Sequence, residues 1–167
     1  IATIYKDFTN NGTFTAGTGT TTLGASWVST TTVSGNSTTF NHLEFLNPGK
    51  GLVFDYDITL PVFTFAGNFL VTGASGNLVK IASDSGGNQW LADFDANQSR
   101  VTYASIYDSG CGAGSLDETL DATSVDGGNN DTSCWIFPGS NQAPSISSMT
   151  FNYGSNVVLN EGTFKWA

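Results

Sequence analysis

The sharpest catalytic constellation in this chain lies between Phe40 and Leu60. The segment Phe40-Asn-His-Leu-Glu-Phe-Leu46 carries the only histidine, His42, together with Glu44. A turn signal, Asn47-Pro-Gly-Lys-Gly51, separates it from the run Leu52 to Leu60, which holds Asp55 and Asp57. In an antiparallel hairpin, directly opposed residues share a face. A register that pairs Phe45 with Phe54 and Leu43 with Tyr56 keeps the apolar residues together. It also sets Glu44 opposite Asp55 and His42 opposite Asp57. Two carboxylates about 5 to 9 Å apart are what glycoside hydrolysis uses. Crowding them raises one pKa toward that of a general acid. The same residues also suit a solvated sheet face, and another register disperses them.

Two further acidic clusters could hold a hard cation. Asp93-Phe-Asp95-Ala-Asn97 aims three oxygen-bearing side chains the same way on a strand, although Gln98 stands where a calcium-binding EF-hand loop needs glycine. Asp117, Glu118, Asp121, Asp126, Asn129 and Asp131 lie between the only two cysteines, Cys111 and Cys134. A structural Ca²⁺ is the expected cofactor, with Asp126, Asn129 and Asp131 as its ligands. The cysteines are expected to form one disulfide, which implies an oxidising compartment. One histidine excludes a multi-histidine metal site. No nucleophile elbow, P-loop or dinucleotide fingerprint is present.

Aromatic surface is the other resource. Sugar rings stack on flat aromatic faces while amides and carboxylates bond their hydroxyls. Trp90 follows Asn88 and Gln89, and Trp135 follows Asn130 and Asp131. Trp90, Trp135, Tyr103 and Tyr107 are the expected stacking residues, with Asn88, Gln89 and Asp93 as hydrogen-bonding partners. Trp27 and Trp166 are assigned to packing, and any tryptophan of a β domain also suits the core.

The elements that must position these residues read as strands. Phe54, Tyr56, Ile58 and Leu60 alternate with Val53, Asp55, Asp57 and Thr59. Trp90, Ala92 and Phe94 alternate with Leu91, Asp93 and Asp95, and Val101, Tyr103 and Ser105 with Thr102, Ala104 and Ile106. Helical periodicity is almost absent. Turn signals at Asn47–Gly51, Gly73–Gly76, Ser85–Asn88 and Asn152–Asn156 divide the chain into about ten to twelve short strands. The expected fold is an all-β, two-sheet antiparallel β-sandwich of jelly-roll type, forming one domain over residues 1–167. Residues 13–39 read as edge strands and long loops, and no internal repeat is evident. The last strands, 146–151 and 156–166, are expected to close the sandwich, with Thr163–Trp166 beside Ile1–Phe8.

A formal net charge of −9 and a pI near 4.1 argue against nucleic acid and anionic membranes as partners. No apolar run reaches the roughly 18 residues of a membrane span. With no signal peptide and no initiator Met at Ile1, a start after a cleavage or an excision is expected. Sequons at Asn11, Asn36, Asn97 and Asn130 are no more than a chain this rich in Asn, Ser and Thr produces by chance. A monomer is expected.

The opening Asp7-Phe-Thr-Asn-Asn-Gly-Thr-Phe14, with Trp27 downstream, resembles the start of jelly-roll carbohydrate-binding modules. Ile146-Ser-Ser-Met-Thr-Phe-Asn-Tyr153 with Val157 to Trp166 is similar to their last strand pair. The resemblance covers about a quarter of the chain. It implies a β-sandwich with aromatic side chains on a concave sheet or edge loops, and a structural Ca²⁺ near the paired termini. Asp7 falls at that ion's place, but Glu161 is its only acidic partner near the other end, a departure from the pattern. The function expected is binding of a neutral polysaccharide without cleavage, by a secreted module appended to a carbohydrate-active enzyme. The alternatives are a small glycoside hydrolase using Glu44 with Asp55 or Asp57, and an extracellular adhesin or structural surface domain.

Overall fold

The computed structural model describes residues 1–24, 28–95, 100–115 and 118–137, with the backbone alone at Glu118. Trp27, Asn97, Asp117, Glu161, Trp166 and the expected strands 146–151 and 156–166 lie outside the described residues.

The strands wind in one direction through three parallel sheets. Sheet 1 holds Ala2–Ile4, Thr20–Leu23, His42–Phe45, Phe69–Thr72 and Arg100–Thr102. Sheet 2 holds Phe8–Asn10, Thr30–Gly35, Gly51–Phe54, Val79–Ser83, Ala104–Tyr107 and Val125–Gly128. Sheet 3 holds Thr38–Phe40, Val62–Phe65, Trp90–Phe94 and Ser109–Cys111. From Thr20 to Cys111 the chain visits sheets 1, 2 and 3 in turn, giving a β-solenoid of about four turns. Glu118–Thr119 and Trp135–Ile136 form a small parallel pair beyond it.

The antiparallel sandwich, jelly roll included, is therefore not the fold. Alternation fixes which side chains face inward. It does not say whether a strand pairs with its neighbour in the chain or with the strand one coil later. Here the turn at Asn47–Gly51 is a corner, not a hairpin. It carries the chain from His42–Phe45 in sheet 1 to Gly51–Phe54 in sheet 2. Among the described residues, the antiparallel contact is one isolated bridge between Ala74 and Asn77.

Parallel pairing stacks inward side chains on their counterparts one coil away. Phe40 lies in register with Phe65, and Phe65 with Phe94, in sheet 3. Their rings stack at 6.2 and 5.3 Å. Leu52, Ile81 and Ile106 form the matching column in sheet 2, and Phe45, Val71 and Val101 that in sheet 1. Trp90 lies flat on Phe54 at 4.0 Å, and Trp135 sits edge-on to Phe94 at 5.0 Å. Phe14 and Phe8 cover Phe40 at the N-terminal end. Burying each such side chain contributes roughly 1.5–3 kcal/mol.

Two stretches depart from their expected form. Residues 55–61 do not continue the strand: Leu60 N–H donates to the Asp57 carbonyl in a turn, and Ile58 is 89% exposed. Residues 13–39 supply Thr20–Leu23 and Thr30–Gly35, both interior to their sheets, and only Thr38–Phe40 lies at an edge. Gly35 is required where it stands. Its φ is +96°, and a side-chain carbon there would overlap the Asn10 carbonyl. Cys111 and Cys134 are joined, with Cα atoms 5.8 Å apart, which ties the end of sheet 3 to Trp135. That crosslink indicates an oxidising, extracellular-type environment.

The stacked column makes a direct stability prediction. Phe65→Ala is expected to cost about 3–5 kcal/mol in urea unfolding, whereas Ile58→Ala, apolar but exposed, stays within about 0.5 kcal/mol. Equal losses would show that the Phe40–Phe65–Phe94 column is not the core.

Candidate functional site

The corner joining sheet 2 to sheet 3 is built from four successive coils. Residues 36–37, 55–61, 84–89 and 108 each make one crossing, and Asn129 follows the last strand of sheet 2. Side chains of one coil satisfy the backbone of the coil before it. Gly35 N–H donates to Asp55 Oδ2 at 3.1 Å, Tyr56 N–H to Asp84 Oδ1 at 2.8 Å, and Ser109 N–H to Asn130 Oδ1 at 3.1 Å. Corners lack the ladder bonds that strands make, so an Asp or Asn one coil away supplies the missing acceptor.

Two of these crossings, together with Leu91 and Asn129, enclose a shallow groove of about 360 Å³, lined by Tyr56, Leu60, Gly87, Asn88, Gln89, Leu91 and Asn129. Two of the three amides that line it are tied to one another's segments. Gln89 Nε2 donates to the Asn129 carbonyl at 2.8 Å. Asn129 Nδ2 donates to Asp108 Oδ1 at 2.8 Å and to the Gly87 carbonyl at 3.2 Å. The backbone here is unusual: Leu60, Asp108 and Asn129 have φ of 50°, 50° and 56°. Asn and Asp tolerate that conformation, but for Leu it costs on the order of 1 kcal/mol.

Asn88 and Gln89 are thus brought together with Asn129, which sequence reasoning had placed in a metal site, and with Tyr56, which it had not placed in any site. The signal that could have found Tyr56 is the Asp57-Ile-Thr-Leu-Pro61 stretch, where Pro and an exposed Ile argue for a turn, not a strand. Trp90 and Trp135 are each 1% exposed, their rings covered by Phe54 and Phe94, so neither offers a face to a sugar. Trp135 Nε1 donates to Ser109 Oγ at 2.7 Å, while Trp90 Nε1 is buried with no partner among the described residues. Tyr103 does not share a strand face with Tyr107. It sits at the corner between sheets 1 and 2 with φ 51°, its carbonyl accepting Val79 N–H. Tyr107 ends its strand with the Lys80 ammonium 5.0 Å from its ring centre and Gly127 pressed against the ring.

The acidic residues are similarly placed by the coils. Glu44 is on the outer face of sheet 1, accepting from Thr22 Oγ1 at 3.2 Å, and His42 Nδ1 accepts the Asn68 N–H at 2.9 Å. Asp55 and Asp57 stand at the other corner, and Asp57 Oδ1 accepts Thr59 N–H. The face that an antiparallel hairpin would have given Glu44, Asp55, Asp57 and His42 is absent because His42 and Glu44 lie on a strand of sheet 1 while Asp55 and Asp57 lie in the crossing from sheet 2 to sheet 3. Asp126 Oδ1 accepts from Gly128 N–H and from Asn130 Nδ2. Asp131 Oδ1 accepts from Ser133 N–H and Oγ, and these bonds hold its carboxyl below the usual range. Among the described residues, no three His, Cys, Asp or Glu side chains gather as a metal-holding group. A second depression of about 300 Å³, lined by Phe14, Thr15, Ala16, Gly17, Thr39, Asn41 and Ala66, carries no ionisable group.

Among the described residues, Asp93 is the one carboxylate pushed upward. It faces out of sheet 3 beside Thr64, and Gly112 packs against its Cβ. Oδ1 is buried without a partner among the described residues. Burial raises its pKa first, and the neighbouring Asp95 charge adds to the rise.

No family model, curated protein or solved structure matches the chain.

The raised Asp93 pKa means that the folded state holds its proton more tightly than the unfolded state. Its charge therefore destabilises the fold above the folded pKa and not below the ordinary value of 3.8. Asp93→Asn is expected to raise the melting temperature at pH 7 and to lose that advantage as the pH falls below 3.8. A constant gain or a loss at every pH, followed by calorimetry, would contradict this account of Asp93.

Proposed function

We propose that this solenoid binds a polysaccharide without cleaving it, as an exported module, and that the ligand lies in the groove at the corner of sheets 2 and 3. One observation carries this reading. Tyr56, from one coil, shares a polar groove with Asn88 and Gln89 of the next and Asn129 from two coils beyond. An aromatic face with convergent amides is the equipment for a sugar ring and its hydroxyls. The net charge of −9 favours neutral chains over sulfated or uronic ones. The disulfide accords with export. The scattering of Glu44 from Asp55 and Asp57 leaves the hydrolytic alternative without its paired carboxylates.

A second reading, an extracellular structural or adhesive domain, is favoured by the burial of both Trp90 and Trp135, which serve the core. Calorimetric titration with neutral oligosaccharides separates the two. Binding is expected in the wild type, and Tyr56→Ala is expected to weaken it roughly tenfold while the melting temperature holds. No reducing ends should appear in the same samples. Absence of binding to every neutral oligosaccharide favours the structural reading, and release of reducing ends overturns the non-catalytic one.

A further inference from the structure

Resting on the groove as the saccharide site, we infer that Asn129 is its specificity-determining residue and Asp108 the positioning residue that fixes what Asn129 presents. The orientation of the Asn129 amide follows from its neighbours. Both groups that it meets, the Asp108 carboxylate at 2.8 Å and the Gly87 carbonyl at 3.2 Å, can only accept hydrogen bonds. The amide nitrogen must therefore face them, and both of its N–H bonds are engaged. The Asn129 side chain can offer a ligand nothing but the oxygen Oδ1. Turning the amide over would set that oxygen against a carboxylate and a carbonyl.

A ligand group that meets Asn129 must consequently be a donor, a free hydroxyl or an amine. An O-methyl ether has no proton to give, and a carboxylate adds like-charge repulsion from Asp108 and Asp84, both bonded to groove residues. Discrimination against a substituted sugar arises because Oδ1 is left facing an acceptor, a larger effect than the loss of a methyl-sized contact. The backbone supports the assignment. Asp108 and Asn129 both hold left-handed conformations, which place these two short polar side chains in contact. The Asn129 carbonyl is meanwhile held by Gln89, so the residue is fixed from both ends.

The test is calorimetric titration of the intact protein with four oligosaccharides of matched length and linkage: β-1,4-glucose, its O-methylated form, β-1,4-glucosamine and β-1,4-glucuronate. The free hydroxyl and amine forms are expected to bind about tenfold or more tighter than the methylated and uronate forms. Asp108→Asn keeps a residue that tolerates a positive φ. It removes the carboxylate charge and can present either an acceptor or a donor, so only the Gly87 carbonyl still orients the Asn129 amide, and the preference is expected to weaken with the melting temperature held. Asn129→Ala should erase the preference, giving a second route should Asp108→Asn disturb folding. Equal affinity of the wild type for free and methylated sugars, or an undiminished preference in both variants, overturns this inference while leaving saccharide binding in place. Failure of all four to bind overturns the saccharide reading and this inference with it.

Discussion

The fold depends on one repeated contact, the stacking of an inward side chain on its register partner one coil away. Parallel strands lie about 4.8 Å apart, close to the spacing at which aromatic rings and branched side chains pack face to face. Phe40, Phe65 and Phe94 use this spacing in sheet 3, and Leu52, Ile81 and Ile106 use it in sheet 2. Each coil is too thin to enclose a core by itself, so stability comes from coil-on-coil contact and is shared along the axis. Trp90 and Trp135 belong to this system, Trp90 flat on Phe54 and Trp135 against Phe94.

Because the sheets are committed to stacking, the freedom to vary sits in the corners. Register partners in sheet 1 are separated by 22 residues between Thr21 and Leu43, 26 between Leu43 and Phe69, and 30 between Val71 and Val101. The additional residues enter the crossings, and the crossing between sheets 2 and 3 gains the Asp57–Leu60 turn and the Ser85–Asn88 turn. Those turns raise the walls of the groove. The corner acids Asp55 and Asp84 close the backbone of the preceding coil, while Asp108 orients Asn129, so the bonds that hold the corner together also set the polarity of the surface it presents.

Much of the local structure was legible in the residues. The alternation of Trp90, Ala92 and Phe94 with Leu91 and Asp93 is an inward and outward face, and the turns at Asn47–Gly51, Gly73–Gly76 and Ser85–Asn88 stand where Gly, Asn and Pro place them. The pairing of Cys111 with Cys134 followed from there being only two. The topology was not legible, because a strand that pairs one coil later has the same period of two as one that pairs across a hairpin. Uneven coil lengths removed the fixed sequence period by which a solenoid is recognised. Tyr103, in a left-handed conformation, breaks the run from Val101 to Ile106 that looked like one strand. Of the residues that line the groove, Asn88 and Gln89 had been named from their composition as expected hydrogen-bonding partners. Asn129 and Tyr56 join them only through the stacking of coils, and no local pattern records that.

The central claim is that ligand recognition lives at this corner and not on the flat sheet faces. Amide chemical-shift mapping during titration with a neutral β-linked oligosaccharide tests it most directly. Shifts confined to residues 56–60, 87–91, 108 and 129, with the sheet 1 face around Thr22, Glu44 and Leu70 unmoved, are the predicted result. Shifts centred on sheet 1, or none at saturating oligosaccharide, would contradict it.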